Sequence, residues 1–239
     1  MPLFVFLIGL SIGSFLNVLI GRLPQGKTIL GRSKCDYCKK TLRWFELVPI
    51  ASWIVQGGRC RRCHHRLSLQ YPLVELATAA TFTWVFSFVH GNIALVGALA
   101  VTSALIVIFV SDLKYQVIPD SMVLLGVFGV LLGGNGGNIV SAIGASVFFF
   151  LLWLVTKGRG MGLGDAKLAF LLGLMLGFPR IVLVIYTAFL TGAGVGVILV
   201  LGKILKLKSK IAFGPFLVIG ALIAVLWGEK ITNWWKGVV

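Results

Sequence analysis

The chain has 239 residues, of which 58% are hydrophobic and only 12% are charged, and its formal net charge is +15. Ordinary soluble domains are about 45–50% apolar and about 25% charged, so this composition argues against a soluble protein and indicates a lipid bilayer as its solvent. The basic residues lie in short stretches between apolar runs and form no basic domain large enough to follow a duplex, so no nucleic-acid partner is expected.

Eight apolar segments follow one another along the chain and predict an all-α polytopic membrane protein with about eight transmembrane helices. They are residues 2–21, 72–89, 93–110, 119–134, 138–156, 165–178, 180–202 and 211–228. Five or six of them approach the roughly 20 residues that cross a bilayer core. Segments 119–134 and 165–178 are shorter, and local thinning of the bilayer or a start below its surface would accommodate them.

The distribution of positive charge predicts the topology. No Lys or Arg precedes the first apolar run, whereas Arg22 and Lys27 follow it, so this segment is interpreted as a span rather than a secretory signal peptide. With eight spans and the N-terminus outside, all but three of the 22 Lys and Arg residues fall on the cytoplasmic side. Both termini are therefore expected outside. The expected segments are a first transmembrane helix (1–21), a cytoplasmic four-Cys loop domain (22–71), a seven-helix membrane domain (72–228) and a short non-cytoplasmic tail (229–239).

All four cysteines lie in the 22–71 loop, as Cys35-x2-Cys38 and, 21 residues further on, Cys60-x2-Cys63. Two such pairs can close a tetrahedral thiolate site, as in a zinc ribbon, and four protein ligands leave no open position for a substrate. The spacing therefore predicts a structural zinc site. Two disulfides or four free thiols are the alternative, although a reducing cytoplasm disfavours disulfides, and iron could use the same ligands. The adjacent residues His64 and His65 are interpreted as polar loop residues.

Only seven residues are acidic, and four of them, Glu75, Asp112, Asp120 and Asp165, lie in or beside apolar segments. Ionisable residues at membrane depth are costly and are candidates for function by default. Asp112 follows an apolar run, and Asp120 comes eight residues later, directly after Pro119. Each aspartate alone could equally cap a helix or face water at a junction.

Asp165 follows three glycines within five residues, Gly160, Gly162 and Gly164. These glycines argue against a stable helix before Asp165 and allow backbones to approach closely. Asp165 itself suits the N-cap or the first turn of the next helix. Lys167 lies two residues later, where it cannot share a helix face with Asp165, and it is expected to extend toward lipid headgroups.

By the predicted topology, Asp112 and Asp165 both open on the cytoplasmic side, although their spacing in the sequence cannot show that they meet. Two carboxylates held close together would share one proton. The ionised member could then take a proton from water while the protonated member binds the scissile carbonyl, and the leaving amine would regain a proton as the intermediate collapses. The leading hypothesis is a membrane aspartic endopeptidase. A proton-coupled transporter and a non-catalytic assembly protein are the alternatives.

The chain resembles the prepilin peptidases, or type IV leader peptidases, of the GxGD membrane aspartic proteases. The residues that carry the resemblance are 13–18, 22–24, 32–38, 44–49, 58–63, 71–75, 112–120 and 160–168. They cover most of the chain and are specific in combination. The chain departs from the family pattern at Gly31 and Asp36, where many members have proline.

This resemblance implies that Asp112 and Asp165 are the catalytic pair and that Asp120 is a supporting residue, together with Gly162, Gly164 and Lys167. It implies type IV prepilins or pseudopilins as substrates, cut after a short basic leader at the cytoplasmic face of the bacterial inner membrane. Many members also methylate the new N-terminus with S-adenosylmethionine. That activity is associated with the loop 22–71, although no glycine-rich cofactor fingerprint of the soluble kind is present.

Overall fold

The computed structural model describes residues 1–134, 138–158, 160–202 and 212–238, and within these ranges the chain is helical with no β-strand. The α-helices are α1 (Pro2–Arg22), α2 (Ala51–Val55), α3 (Gln70–Phe88), α4 (Asn92–Tyr115), α5 (Asp120–Leu132), α6 (Ile139–Thr156), α7 (Leu163–Leu176), α8 (Arg180–Leu201) and α9 (Gly214–Val238). Short 3₁₀ turns cover Leu23–Gln25 and Trp44–Leu47. The predicted all-α class is thereby confirmed.

Each of the eight predicted apolar segments coincides with one helix, and the differences lie at the ends. Helix α4 continues five residues beyond the predicted end of its segment at 110, so Asp112 lies inside its last turns rather than after it. Helix α7 begins at Leu163, and Gly164 belongs to its first turn. One helical glycine weakens a helix by only about 1 kcal/mol, which tertiary packing offsets here.

Among the described residues, five helices are long and apolar enough to cross a membrane: Pro2–Gln25, Asn92–Tyr115, Ile139–Thr156, Arg180–Leu201 and Gly214–Ile231. This finding makes the chain an integral membrane protein. Helices α5 and α7 have only 13 and 14 residues, and α3, with 19, carries Glu75 within its span. Five of the basic residues counted for the topology lie outside the described residues: Arg159, Lys203, Lys206, Lys208 and Lys210.

The chain divides into two compact units, 1–107 and 108–239. In the first unit, α1 packs against α3 through glycines on one face of α1. A Cβ at Gly9 would lie 2.6 Å from the Cα of Ala79, and one at Gly13 would lie 2.7 Å from the Cα of Glu75. Small residues four apart allow helix backbones to touch in this way, so that α1 and α3 pack as a close pair.

In the second unit, α7 is the central helix and contacts α5, α6, α8 and α9. Its residues from Leu168 to Leu174 are buried or partly buried. At Gly173 a Cβ would meet the Cα of Ala142 at 2.7 Å, so α6 and α7 are also in backbone contact. Because α7 is surrounded by protein, its length need not match the thickness of the bilayer, which explains how 14 residues suffice.

Candidate functional site

Asp112 is a buried carboxylate near the C-terminal end of α4, and its side chain is 5% exposed. Its Oδ2 accepts a hydrogen bond from the backbone N–H of Gly214, at 2.9 Å. Gly214 is the first residue of α9, where helix geometry leaves N–H groups without intrahelical acceptors. The carboxylate thus lies at the N-terminal end of a helix, where negative charge is stabilised.

Asp165 is equally buried, at 7% exposure, in the first turn of α7. Its Oδ2 accepts the backbone N–H of Gly162, the N-cap residue, at 3.0 Å, while its own backbone N–H donates to the Gly162 carbonyl at 3.2 Å. A carboxylate that reaches back to the N-cap in this way satisfies a donor that the helix leaves free. Gly162 and Asp165 therefore form one turn closed by two hydrogen bonds.

Asp112 and Asp165 are brought together around Ile118, a residue of the extended segment between α4 and α5. A Cβ at Gly164 would lie 3.1 Å from the Ile118 Cβ, and one at Gly214 would lie 3.4 Å from the Ile118 Cδ1. The two carboxyl groups are near enough to repel each other when both are charged. Both acids therefore lie near Ile118 in the second unit, a neighbourhood that sequence spacing could not show.

Asp120 and Lys167 lie beside this pair but not in it. The Lys167 Nζ and the Asp120 Oδ1 form an ion pair at 2.6 Å, with the two side chains 51% and 67% exposed. The ion pair links the start of α5 to the first turns of α7. The sequence predicted that Lys167 extends toward lipid headgroups, and it did not identify this acidic neighbour, which lies 47 residues away in the chain.

Gly214 is a site residue that the sequence analysis did not single out. A Cβ at this position would lie 2.7 Å from the Asp112 Oδ2. The sequence does contain a local pattern at this position. Gly214-Pro215, at the start of the last apolar segment, is typical of the beginning of a helix, because proline suits the first helical turn. That pattern predicts where α9 begins, but not which carboxylate its first N–H binds.

The four cysteines lie on two turns of the first unit that repeat each other with an offset of 25 residues. In the first turn, the Cys35 N–H donates to the Lys40 carbonyl and the Lys39 N–H to the Cys35 carbonyl. In the second turn, the Cys60 N–H donates to the His65 carbonyl and the His64 N–H to the Cys60 carbonyl. Lys39 and His64 share the left-handed conformation, with φ of 57° and 54°. Both turns therefore present their cysteines in the same local geometry.

These turns bring the four Sγ atoms of Cys35, Cys38, Cys60 and Cys63 within 4.8 Å of one another. A tetrahedral zinc with Zn–S bonds of about 2.3 Å would separate its sulfurs by about 3.8 Å, and the Cys35 and Cys63 sulfurs are 3.9 Å apart. All four cysteines are free thiols, so the disulfide alternative does not describe this cluster. The residues fit one metal ion, and the histidines are not among its ligands.

The thiols of the cluster differ in their readiness to ionise. The N–H groups of Cys63 and Arg62 lower the pKa of the Cys60 thiol to about 7. Burial raises the pKa of the Cys35 thiol to about 11. Because metals bind thiolates, a bound cation would have to stabilise the charge on the buried Cys35.

Glu75, on α3, is a third buried acid, and it connects the loop to the helix pair of the first unit. Its Oε2 accepts the backbone N–H of Ile50 at 2.7 Å, and the Ser14 side chain also bonds it. Ile50 has φ of 58°, which is strained for a β-branched residue and costs of the order of 1–3 kcal/mol. The Glu75 hydrogen bond therefore helps to stabilise an unfavourable turn.

Two family models match the chain. Residues 7–89 match the bacterial peptidase A24 N-terminal domain, and residues 99–197 match the type IV leader peptidase family. No solved structure matches the chain significantly. The first match includes the cysteine cluster, and the second includes both Asp112 and Asp165.

Three similar proteins each bear the name prepilin leader peptidase/N-methyltransferase. The one from Aeromonas hydrophila is 35% identical, covering 97% of this chain and 92% of that protein. The one from Pseudomonas aeruginosa is 32% identical, covering 95% and 90%, and the one from Bacillus subtilis is 30% identical, covering 97% and 96%. The helical membrane fold and the family matches assign the chain to the class of membrane peptidases. The chain belongs to the type IV leader peptidase family, which confirms the resemblance found in its sequence.

Proposed function

We propose that this chain is a membrane aspartic endopeptidase that removes the basic leader from type IV prepilins or pseudopilins and N-methylates the new N-terminus. The observation that carries the proposal is that Asp112 and Asp165 are both buried, each held by a backbone N–H, with Gly164 and Gly214 beside them both next to Ile118. The names of the full-length relatives support the substrate class and the second activity.

The proposed reaction uses the two carboxyl groups as one unit with a shared proton. The ionised carboxylate takes a proton from a water molecule, which attacks the scissile carbonyl carbon, while the protonated carboxyl donates a hydrogen bond to the carbonyl oxygen. The tetrahedral intermediate then collapses and the leaving amine takes a proton from the pair. Burial excludes bulk water and strengthens these interactions. Gly162, Gly164, Asp120 and Lys167 support the pair by shaping the start of α7.

The four-Cys cluster is proposed to hold a structural zinc ion. Zinc would join the two cysteine turns and order the 22–71 loop, and its four thiolate ligands would leave no position for catalysis. For methyl transfer, S-adenosylmethionine is the proposed methyl donor, which supplies an electrophilic methyl group to the N-terminal amine. Among the described residues no side-chain cluster is assigned to that donor.

The proposed topology has eight spans in the bacterial inner membrane, with both termini outside and the aspartate pair facing the cytoplasm. Two ion pairs support it. Asp120 and Lys167, both predicted cytoplasmic, form one pair, and Arg180 and Glu229, both predicted outside, form the other at 2.7 Å. Residues assigned to the same side are thus found in contact.

The test is cleavage of a purified prepilin by the full chain in liposomes, followed by mass spectrometry of the product. Asp112→Asn and Asp165→Asn are expected to lower the rate by about 10²–10⁴-fold, the range that acid–base groups contribute. Glu229→Gln is the matched control, since this acid is exposed and lies outside the pair and its supporting residues, and most of the activity should remain. Persistent cleavage in both site variants would make the pair structural, and no cleavage by the wild type would favour a transporter or an assembly protein.

A further inference from the structure

The two buried carboxylates are held in the same way. Each uses Oδ2 to accept one glycine N–H, from Gly162 for Asp165 and from Gly214 for Asp112. Within the part of the chain that the structure describes, neither Oδ1 receives a hydrogen bond. One oxygen of each acid is therefore fixed by the main chain and the other is left for water or for the shared proton.

We propose that the backbone N–H of Gly214 is a positioning group for the aspartate pair, fixing the orientation of the Asp112 carboxylate as Gly162 fixes that of Asp165. The catalytic meaning of this inference rests on the proposed peptidase function, but the contact itself can be measured without any substrate. Gly214 touches no reacting atom and acts through Asp112.

The start of α9 explains why this N–H is available. The Phe213 carbonyl accepts the N–H groups of Phe216 at 3.0 Å and Leu217 at 3.3 Å, so those donors are used inside the helix. Pro215 has no N–H. Gly214 is then the first-turn residue whose N–H is free to bind outside the helix, and it is buried. A carboxylate at this position also meets the positive end of the helix dipole.

The absence of a side chain at position 214 sets how closely α9 approaches Asp112. A Cβ there would lie 2.7 Å from the Asp112 Oδ2 and 3.2 Å from its Cγ. Contacts below 3.0 Å do not persist, so any larger residue must displace either the carboxylate or the helix. Glycine at this position therefore allows the N–H to bind Asp112 directly.

A purely structural role for Gly214 is the competing explanation, and the same helix supplies a matched control. A Cβ at Gly220 would lie 2.7 Å from the Val184 carbonyl oxygen and 2.8 Å from the Thr187 Oγ1. Gly220→Ala therefore crowds the α8–α9 contact as severely as Gly214→Ala crowds Asp112, without touching the aspartate pair. Two such variants separate helix packing from carboxylate positioning.

The contact is tested by NMR on the full chain in detergent, with ¹³C-carbonyl phenylalanine and ¹⁵N-glycine. The sequence contains two Phe-Gly pairs, Phe128-Gly129 and Phe213-Gly214, so this labelling selects two amide signals. Asp112→Asn should move the Gly214 amide signal, because a charged acceptor is lost, and leave Gly129 in place. Asp165→Asn should move the Gly214 signal much less. A Gly214 signal that does not respond to Asp112→Asn overturns the proposal.

The consequence for the reaction is tested by prepilin cleavage at several substrate concentrations. Gly214→Ala should lower kcat by roughly 10- to 100-fold with little change in KM, because misplacing a reacting group has effects of that size. Gly220→Ala should lower the melting temperature but keep kcat within a few-fold of wild type. Equal kcat losses in the two variants, or a change in KM alone, would overturn the positioning role. If the wild type does not cut prepilins, the proposed function fails, and the NMR result still decides whether Gly214 binds Asp112.

Discussion

In the cysteine cluster and in the aspartate pair, main-chain N–H groups bond the ionisable side chains. The two sites differ in how the sulfur and oxygen atoms are arranged. The four sulfurs converge within 4.8 Å, so a single ion would engage all of them. The two carboxylates each engage Oδ2 and leave Oδ1 without a hydrogen bond among the described residues. The first arrangement is suited to holding a structure together, and the second is suited to reacting with water and a peptide.

The largest effect is expected from Cys60→Ser, which tests whether the cysteine cluster holds a metal ion. Structural zinc sites contribute about 10–16 kcal/mol in apparent binding free energy, so loss of one thiolate should reduce the metal content from near one ion per chain to a small fraction. Metal analysis after dialysis against a chelator measures this. His64→Asn is the control, because Asn tolerates the left-handed conformation of that position, with φ of 54°.

In the same Cys60→Ser protein, prepilin cleavage should fall less than in Asp112→Asn. The cysteines belong to the first compact unit, whereas both aspartates belong to the second. Equal loss of cleavage in the two variants would contradict the distinction between a holding site and a reacting site. Retention of metal by Cys60→Ser would show that the cluster is not a four-thiolate site.

An intermediate effect is expected from Glu75→Leu, which leaves the Ile50 N–H without its acceptor. An unsatisfied buried donor costs about 1–3 kcal/mol, and the strained turn at Ile50 would open more often. Limited proteolysis of the 22–71 loop measures this opening. Glu75→Gln keeps an acceptor oxygen and should stay close to wild type. If both variants are cut equally fast, the carboxylate charge rather than the hydrogen bond is what matters.

The smallest effect is expected from Lys167→Met. Its ion pair with Asp120 is exposed on both sides, and such pairs contribute about 0–1 kcal/mol. The melting temperature should fall slightly, by the same amount in Asp120→Asn, and the double variant should show no further loss. Additive losses in the double variant would mean that the two side chains act independently, as the headgroup hypothesis for Lys167 requires.

The parts of this molecule that the sequence predicted well are those with short-range causes. The C-x-x-C pairs predict the two cysteine turns, because each turn is closed by hydrogen bonds within a few residues. Likewise, apolar runs predicted every long helix to within a few residues, except that α4 and α9 extend further at their C-terminal ends. Hydrophobicity indicates where a helix is buried in lipid, but helices continue past that boundary as long as their hydrogen bonds are satisfied.

The parts that were not predicted depend on contacts between distant residues. Asp112 and Asp165 lie near the same residue because glycines at 164 and 214 both pack against Ile118, and no local pattern specifies that arrangement. Gly214 and Asp112 are 102 residues apart in the chain. The Lys167–Asp120 ion pair joins two helices in the same way. Residue types identified the acids, whereas packing determined their neighbours.

The enclosure of α7 restricts the route by which a polypeptide can reach Asp165. The exposed residues of this helix are Leu163 and Lys167, at its N-terminal end, and the following residues to Leu174 are covered by neighbouring helices. A helical substrate cannot lie along the flank of α7, because that flank is already occupied. Among the described residues of α7, the side open to an approaching peptide is therefore the N-terminal end, where Asp165 lies in the first turn.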